Sequence, residues 1–406
     1  MFAAVGLVML GNYYGYDSIG PVAEQLSREL HFTDTQIGTL NAIYSLPNII
    51  LTVVGWVLVD RFTARRMVVA TSAICLVGAV VTAVGDQFPV MAFGRLLFGI
   101  GSETLSVAVL VALAQWFAGR NLALLFAVNL SLSRMGSYLA DRSPSFAAGL
   151  YERGWQPPLW LAAGFALLTF AAALLYYWLD RREAPRGTLA PAPAPERFDW
   201  RHVLSFRTEY WLLVATCVAF YSVIFPFRST FAIKYLQEAR GFTLDAASTL
   251  NSYVFLAAAF ATPVFGLLLD RMGRNALLLV VGSLLLPASF LVLASMPGGA
   301  GLSTALLGVS FSFLPAVLWP TVVRYSPPEN LGTAYGLMTT LQNAGLAAAN
   351  FAVGSINDAS GASAANPRGY EPMLWFFGLL SVVAFLCTVL LWWRERSEAS
   401  PSRAPA

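Results

Sequence analysis

A series of long apolar stretches, such as residues 67–84 and 276–295, constrains this chain more than any other feature. A helix of about 20 apolar residues crosses the ~30 Å hydrocarbon core of a bilayer, whereas the strands of membrane barrels are shorter and alternate in polarity. Hydrophobic residues make up 57% of the chain and charged residues 12%, about half the ~25% usual in soluble domains. The sequence therefore predicts an all-α integral membrane protein that crosses the bilayer many times.

The apolar stretches predict twelve transmembrane helices in two groups of six. The predicted spans are residues 4–26, 35–59, 67–85, 88–116, 122–149, 158–179, 209–235, 245–269, 276–296, 300–323, 332–356 and 371–393. The longest polar stretch lies between the groups and is rich in proline, which cannot extend a helix. We therefore expect an N-terminal six-helix bundle over residues 1–180, a cytoplasmic linker over 181–207, a C-terminal bundle over 208–395 and a tail over 396–406.

The placement of arginine predicts the orientation, because cytoplasmic loops carry an excess of Lys and Arg. With the N-terminus inside, most arginines fall on the inner side, among them Arg65, Arg66, Arg181 and Arg394. We expect both termini in the cytoplasm and a monomer in the bilayer. The net charge of +3 then reflects topology, and no nucleic-acid partner is implied.

Two ionisable residues, Glu103 and Arg134, lie deep within the fourth and fifth predicted spans. Glu103 precedes the end of its span near Phe117 by about 21 Å, and Arg134 follows the start of its span near Leu122 by about 18 Å, at 1.5 Å per residue. Such residues are expensive inside a membrane and mark functional sites. They form either a structural salt bridge or a clamp for a zwitterion, with an ammonium at Glu103 and a carboxylate at Arg134. We favour the clamp, because a buried ion pair often costs stability relative to apolar packing.

Other polar residues inside the spans are candidates for lining a cavity or for interhelical hydrogen bonds. The candidates for substrate contact are Tyr44, Asn129, Tyr221, Asn251, Tyr253, Gln342 and Asn343. Arg228 has two interpretations: a second ligand for a carboxylate, or a gate charge that pairs with an acidic residue of the other half.

Each half carries a similar loop after its second helix, as expected of the internal repeats of transporters. Both loops place an Asp-Arg pair after a glycine, Gly55 in the first half and Gly266 in the second. This pattern resembles the signature loop of the major facilitator superfamily. The resemblance implies alternating access, with gating by Asp60, Arg61, Asp270, Arg271 and Arg274.

A closer resemblance extends over residues 93–103, 133–137, 318–320 and 331–338. These segments are similar to the lysosomal dipeptide uniporter branch of the superfamily, and we expect a prokaryotic relative in a bacterial cytoplasmic membrane. In that branch an acidic residue of helix 4 and an arginine of helix 5 hold the two ends of the peptide. These positions fall on Glu103 and Arg134. The resemblance therefore implies a uniporter whose substrates are dipeptides.

Missing motifs narrow the function further. The sequence has no Walker lysine or Gly-rich phosphate loop, which argues against transport driven by ATP. Its two histidines, His31 and His202, lie in or near predicted loops, so we expect no metal site. We also expect no cofactor and no enzymatic activity. The alternative function is proton-coupled transport of amino acids or small organic anions. A polytopic receptor or chaperone subunit would be expected to have longer loops.

Overall fold

The computed structural model describes residues 1–117, 122–183, 206–272, 275–296, 298–327 and 330–399. Side chains at 50–61, 122–123, 259–260 and 262–272 lie outside this description. The described residues are helical, apart from connecting turns and one isolated β-bridge. The helices are α1 (Phe2–Asp17), α2 (Ala23–Leu30), α3 (Asp34–Phe62), α4 (Ala64–Val84), α5 (Phe88–Trp116), α6 (Leu122–Phe146), α7 (Ala148–Tyr151), α8 (Gln156–Glu183), α9 (Thr208–Pro226), α10 (Ala232–Glu238), α11 (Leu244–Met272), α12 (Asn275–Ser295), α13 (Ala300–Tyr325), α14 (Leu331–Ala359) and α15 (Glu371–Ala399).

These helices fall on the twelve predicted spans, and the twelve-helix architecture is consistent with the structure. Within the described part of the chain, 7 helices are long and apolar enough to cross a membrane on length and composition alone. Two of the remaining helices differ from these in length or in polarity. Helix α1 is only 16 residues long, and α6 is made more polar by Asn129, Arg134 and Asp141.

The first and seventh spans are each interrupted where the sequence places a proline. Helix α1 ends at Asp17, and a 3-10 turn over Gly20–Val22 leads into α2, because Pro21 has no N–H group for a continuing helix. Pro226 ends α9, and a π-helical turn over Phe227–Phe231 connects it to α10. The π turn contains Arg228, and such turns often occur at functional positions.

The two halves meet along two helix pairs, with α3 against α14 and α6 against α11. Glycines bring α3 and α14 close together: a Cβ atom at Gly38 would collide with the backbone oxygen of Asn350, and one at Gly354 with the backbone oxygen of Asp34. The α3–α14 interface therefore includes direct backbone contact, which fixes the relative position of these two helices.

A polar cluster, which we call the Asp34 cluster, joins the halves where α3 begins and α14 ends. The Nζ atom of Lys234 lies 2.5 Å from the Asp34 carboxylate, and the Asn357 amide donates to the same carboxylate at 2.8 Å. The Asp358 carboxylate accepts from the backbone N–H groups of Asp34 and Thr35 at 2.8 and 2.9 Å. Anions are stabilised at a helix N-terminus, so these contacts hold the two halves together at this end.

A second ion pair between the halves joins Asp17 at the end of α1 to Arg228 in the π turn. Both side chains are buried, and the Arg228 guanidinium also lies 3.8 Å from the ring centroid of Phe255. Asn251 donates to the backbone oxygen of Arg228 and to the carboxylate of Asp141. Among the described residues, the ion pairs between the halves are therefore this one and the Lys234–Asp34 pair, both towards the same end.

Candidate binding cavity

A cavity of about 240 Å³ lies between the two halves. Drug-sized ligands occupy pockets of roughly 300–1,000 Å³, so this cavity suits a smaller molecule. Its walls come from six helices, α1, α3, α5 and α6 of the first half and α9 and α14 of the second, with one further contribution from α11. The lining residues are Asn12, Tyr13, Tyr16, Tyr44, Ser45, Ser102, Glu103, Ser106, Leu130, Ser133, Arg134, Ser137, Tyr221, Phe225, Phe255, Thr339, Gln342, Asn343 and Leu346.

Arg134 is positioned by close packing of α6 against α1. Gly136, two residues later, lies against the backbone of Leu10, and a Cβ atom there would collide with the Leu10 carbonyl oxygen. The guanidinium of Arg134 lies 3.9 Å from the ring centroid of Phe311 on α13. A cation over an aromatic face is attracted by the ring quadrupole, and this contact leaves the N–H donors at the guanidinium edge available for a ligand.

Glu103 lies on α5 beside a network of neutral hydrogen bonds. Its neighbour Ser102 accepts from the Asn12 amide at 2.8 Å and pairs with the Tyr44 hydroxyl at 2.8 Å. Within the part of the chain that the structure describes, no hydrogen bond or ion pair reaches the carboxylate of Glu103. The ion pairs of the described residues also leave Arg134 without a carboxylate partner. The two charges thus line one cavity without forming a salt bridge to each other.

Aromatic rings form the wall of the cavity on the side of the second half. Tyr221 and Phe225 stack with centroids 5.8 Å apart, and the Trp319 indole donates to the Tyr221 hydroxyl at 3.0 Å. Across the interface, Tyr16 packs edge-on against both Phe225 and Tyr44. A surface of this kind offers apolar area to side chains of varied shape, while its hydroxyl groups keep polar contacts available.

The structure brings six of the residues predicted for substrate contact to the cavity. They are Glu103, Arg134, Tyr44, Tyr221, Gln342 and Asn343. The other four lie elsewhere. Arg228 pairs with Asp17 of the other half, as in the gate interpretation, and Asn251 bonds to Asp141.

Tyr253 and Asn129 complete the set that lies outside the cavity wall. Tyr253 is 46% exposed, because it follows the buried Asn251 by two residues and so lies about 200° around the same helix. The structure therefore places Tyr253, a predicted substrate contact, away from the cavity wall. Asn129 is buried, and its backbone oxygen accepts from the Ser133 hydroxyl at 3.0 Å.

Several lining residues were not among the predicted contacts. Asn12, Tyr13 and Tyr16 carried a signal in the sequence, since they are polar residues inside an apolar span. The lining serines carried none, because serine is common throughout the spans and usually bonds to its own helix. The predicted gating residues Asp60, Arg61, Asp270, Arg271 and Arg274 lie outside the residues whose side chains the structure describes.

Within the described residues, helices packed around a central polar cavity form an architecture typical of a membrane transporter. The residues that the structure describes contain no group of three or more His, Cys, Asp or Glu side chains able to hold a metal ion. The solved structure of a mutant of the nucleoside transporter NupG is similar in fold, with a TM-score of 0.79 and 13% sequence identity over 96% of this chain and 99% of that one.

The sequence matches the Major Facilitator Superfamily over residues 5–350 and 229–405. It is 33% identical to the lysosomal dipeptide transporter MFSD1 of Danio rerio over 94% of this chain and 84% of that protein. It is 32% identical to the human protein of the same name, over 96% of this chain and 84% of that protein. The chain therefore belongs to the Major Facilitator Superfamily and, within it, to the family of the MFSD1 proteins.

Proposed function

We propose that this protein is a uniporter that carries dipeptides across a membrane by alternating access. The observation that carries the proposal is the pair of opposite charges, Glu103 and Arg134, which line one cavity and leave each other unpaired. A structural salt bridge would hold them together, whereas a clamp needs them free for a ligand. The names of the relatives support a dipeptide as that ligand.

The chemistry of the clamp follows from the two charged groups. Glu103 accepts hydrogen bonds from the ammonium group of the substrate, and Arg134 forms two parallel hydrogen bonds to its carboxylate. Arginine suits this role because its planar fork matches the two oxygens of a carboxylate. The aromatic wall around Tyr221 and Phe225 accommodates the substrate side chains, so recognition depends on the charged ends.

The transport cycle rocks two bundles, residues 1–180 and 208–395, around this cavity. With both termini in the cytoplasm, the Asp34 cluster and the Asp17–Arg228 pair close the opposite side of the membrane, and Asp60 and Asp270 gate the cytoplasmic side. The excess of arginine in the predicted inner loops supports this orientation. We place the protein in a bacterial cytoplasmic membrane as a monomer that transports without ATP or a cofactor.

Ligand-induced thermal stabilisation of the purified protein tests the clamp. Glycylglycine at 100 times its Kd should stabilise the wild type by about 2.7 kcal/mol. Glu103→Gln and Arg134→Gln should each abolish this response while remaining folded. Arg153→Gln, which changes an exposed arginine outside the cavity, is the matched control and should respond like the wild type. A normal response in both clamp variants would refute the proposal.

Uptake into liposomes separates uniport from the proton-coupled alternative. Labelled dipeptide should equilibrate at the same initial rate in the absence of a pH gradient as in its presence, and it should not accumulate above the external concentration. Accumulation driven by an inwardly directed proton gradient would contradict uniport. Binding of free amino acids in place of dipeptides would contradict the substrate class.

A further inference from the structure

A hydrogen bond from a buried thiol orients the side-chain amide of Gln342. Gln342 lines the cavity from α14, and its Oε1 atom accepts from the thiol of Cys217 on α9 at 3.4 Å. Cys217 is fully buried. With the oxygen held by this thiol, the Nε2 group is the remaining polar atom of the side chain, and it has no hydrogen-bond partner among the described residues.

The polar neighbours of Gln342 on α14 are already engaged. The Asn343 amide donates to the backbone oxygen of Thr339 at 3.1 Å and accepts from Asn48 at 3.5 Å. The Thr339 hydroxyl donates to the backbone oxygen of Tyr335 at 2.9 Å. Among the described residues of this wall, Gln342 is therefore the one whose side-chain amide nitrogen makes no hydrogen bond within the protein, and it lies opposite the half that carries Glu103 and Arg134.

A dipeptide held at both ends places its peptide bond in the middle of the cavity. The carbonyl oxygen of that bond loses its water on entry, and a desolvated carbonyl without a donor is costly. We propose that Nε2 of Gln342 donates a hydrogen bond to the peptide carbonyl oxygen of the substrate. Gln342 is thus a specificity residue that distinguishes dipeptides from zwitterions of the same length that lack this carbonyl. This inference rests on the proposed function.

Three probes of equal length isolate the carbonyl. Glycylglycine, 5-aminolevulinate and 5-aminopentanoate have the same number of atoms between ammonium and carboxylate. The first has the carbonyl and the N–H, the second has the carbonyl alone, and the third has neither. In the wild type, the first two should bind about five- to tenfold more tightly than the third, as expected for one hydrogen bond.

The test measures the Kd of each probe for the purified protein and for variants. Gln342→Met keeps the length of the side chain but removes its polar atoms. It should weaken the two carbonyl probes about five- to tenfold and leave 5-aminopentanoate unchanged. Gln342→Asn withdraws the donor by one methylene and should give the same pattern, so the test stands even if one variant fails to fold. Gln115→Met, the same exchange at a glutamine of α5 that does not line the cavity, is the matched control and should leave all three Kd values unchanged.

Two results would overturn the inference. Equal binding of the three probes by the wild type would show that the carbonyl is not recognised. An equal loss for all three probes in the Gln342 variants would show that the residue acts by packing alone. Failure of the proposed function looks different, because the wild type would then bind none of the probes or Glu103→Gln would bind them normally.

Discussion

Asp34→Asn should open the end of the molecule that the Asp34 cluster closes. The substitution keeps the size of the side chain but removes the charge that Lys234 contacts at 2.5 Å. A hydrogen bond to a charged group contributes about 1.5–3 kcal/mol. The full ~3–5 kcal/mol for breaking a buried ion pair does not apply, because Lys234 keeps a second carboxylate, Glu238, at 3.4 Å. The ratio of closed to open molecules should therefore fall about 10- to 150-fold.

Pulsed electron paramagnetic resonance measures this shift directly. Spin labels on Asp86→Cys and Ala364→Cys, both exposed and at this end of the two halves, report the separation across the interface. Glu24→Gln makes the same chemical change at a surface pair whose partner, Arg28, is 60% exposed, and such pairs contribute only ~0–1 kcal/mol. Asp34→Asn should add a population at longer distance that the Glu24→Gln control lacks. Identical distributions in the two variants would refute the role of the cluster.

Three further results follow from the structure. Burial raises the pKa of Asp358, but the hydrogen bonds at the start of α3 outweigh this effect and hold the pKa below its ordinary value of 3.8. The distance between the two spin labels should therefore stay constant from pH 8 to pH 5. The contact of Asp358 with the start of α3 should weaken only as the pH falls through the depressed pKa. Gly136→Val, which must displace the backbone of Leu10, should lower the free energy of unfolding by about 1–3 kcal/mol and, by moving Arg134, reduce ligand-induced stabilisation in thermal scans. Tyr253→Ala, at an exposed position, should leave the Kd for glycylglycine unchanged, and a large loss would contradict the boundary of the cavity.

The class of fold could be predicted from the sequence because the bilayer imposes one strong rule. A chain that crosses hydrocarbon must satisfy its backbone within helices, so long apolar stretches mark the spans even where only 7 helices pass on hydropathy in the described residues. The breaks at Pro21 and Pro226 follow from the missing N–H of proline. The hydrogen bonds and the ion pair that join α1 to neighbouring helices do not follow from such local rules.

Arg95 shows the limit of predicting sites from buried charge. It lies in the same span as Glu103, yet its guanidinium donates to the backbone oxygens of Gly15 and Tyr16 at 3.0 and 3.1 Å and to the Asn41 side chain at 2.6 Å. Arg95 thus satisfies carbonyl groups at the end of α1, a structural role. The free-energy cost of burying a charge in the membrane marks an ionisable residue as important. Only the contacts that the residue makes in the structure distinguish a packing role from a binding role.

Arg228 and Gln342 depended on partners far away in the sequence. The sequence left Arg228 with two interpretations, since its partner Asp17 lies in the other half of the chain. The availability of Gln342 as a donor depends on Cys217 on a different helix, and no periodicity within α14 encodes that contact. Tyr253 lies on a face of its helix that points away from the cavity. Predicting which face lines the cavity requires knowledge of where the neighbouring helices lie.

Competition between labelled dipeptide and end-blocked analogues tests the central claim most directly. In liposomes that contain the wild-type protein, N-acetylated and C-amidated forms of the same dipeptide each remove one charged end. Each should compete about ten- to hundredfold less well than the free peptide, since one charge-assisted contact is lost, whereas exchanging an aliphatic for a polar side chain should change competition far less. If the blocked peptides compete as well as the free peptide while side-chain changes abolish competition, Glu103 and Arg134 do not clamp the ends of the substrate.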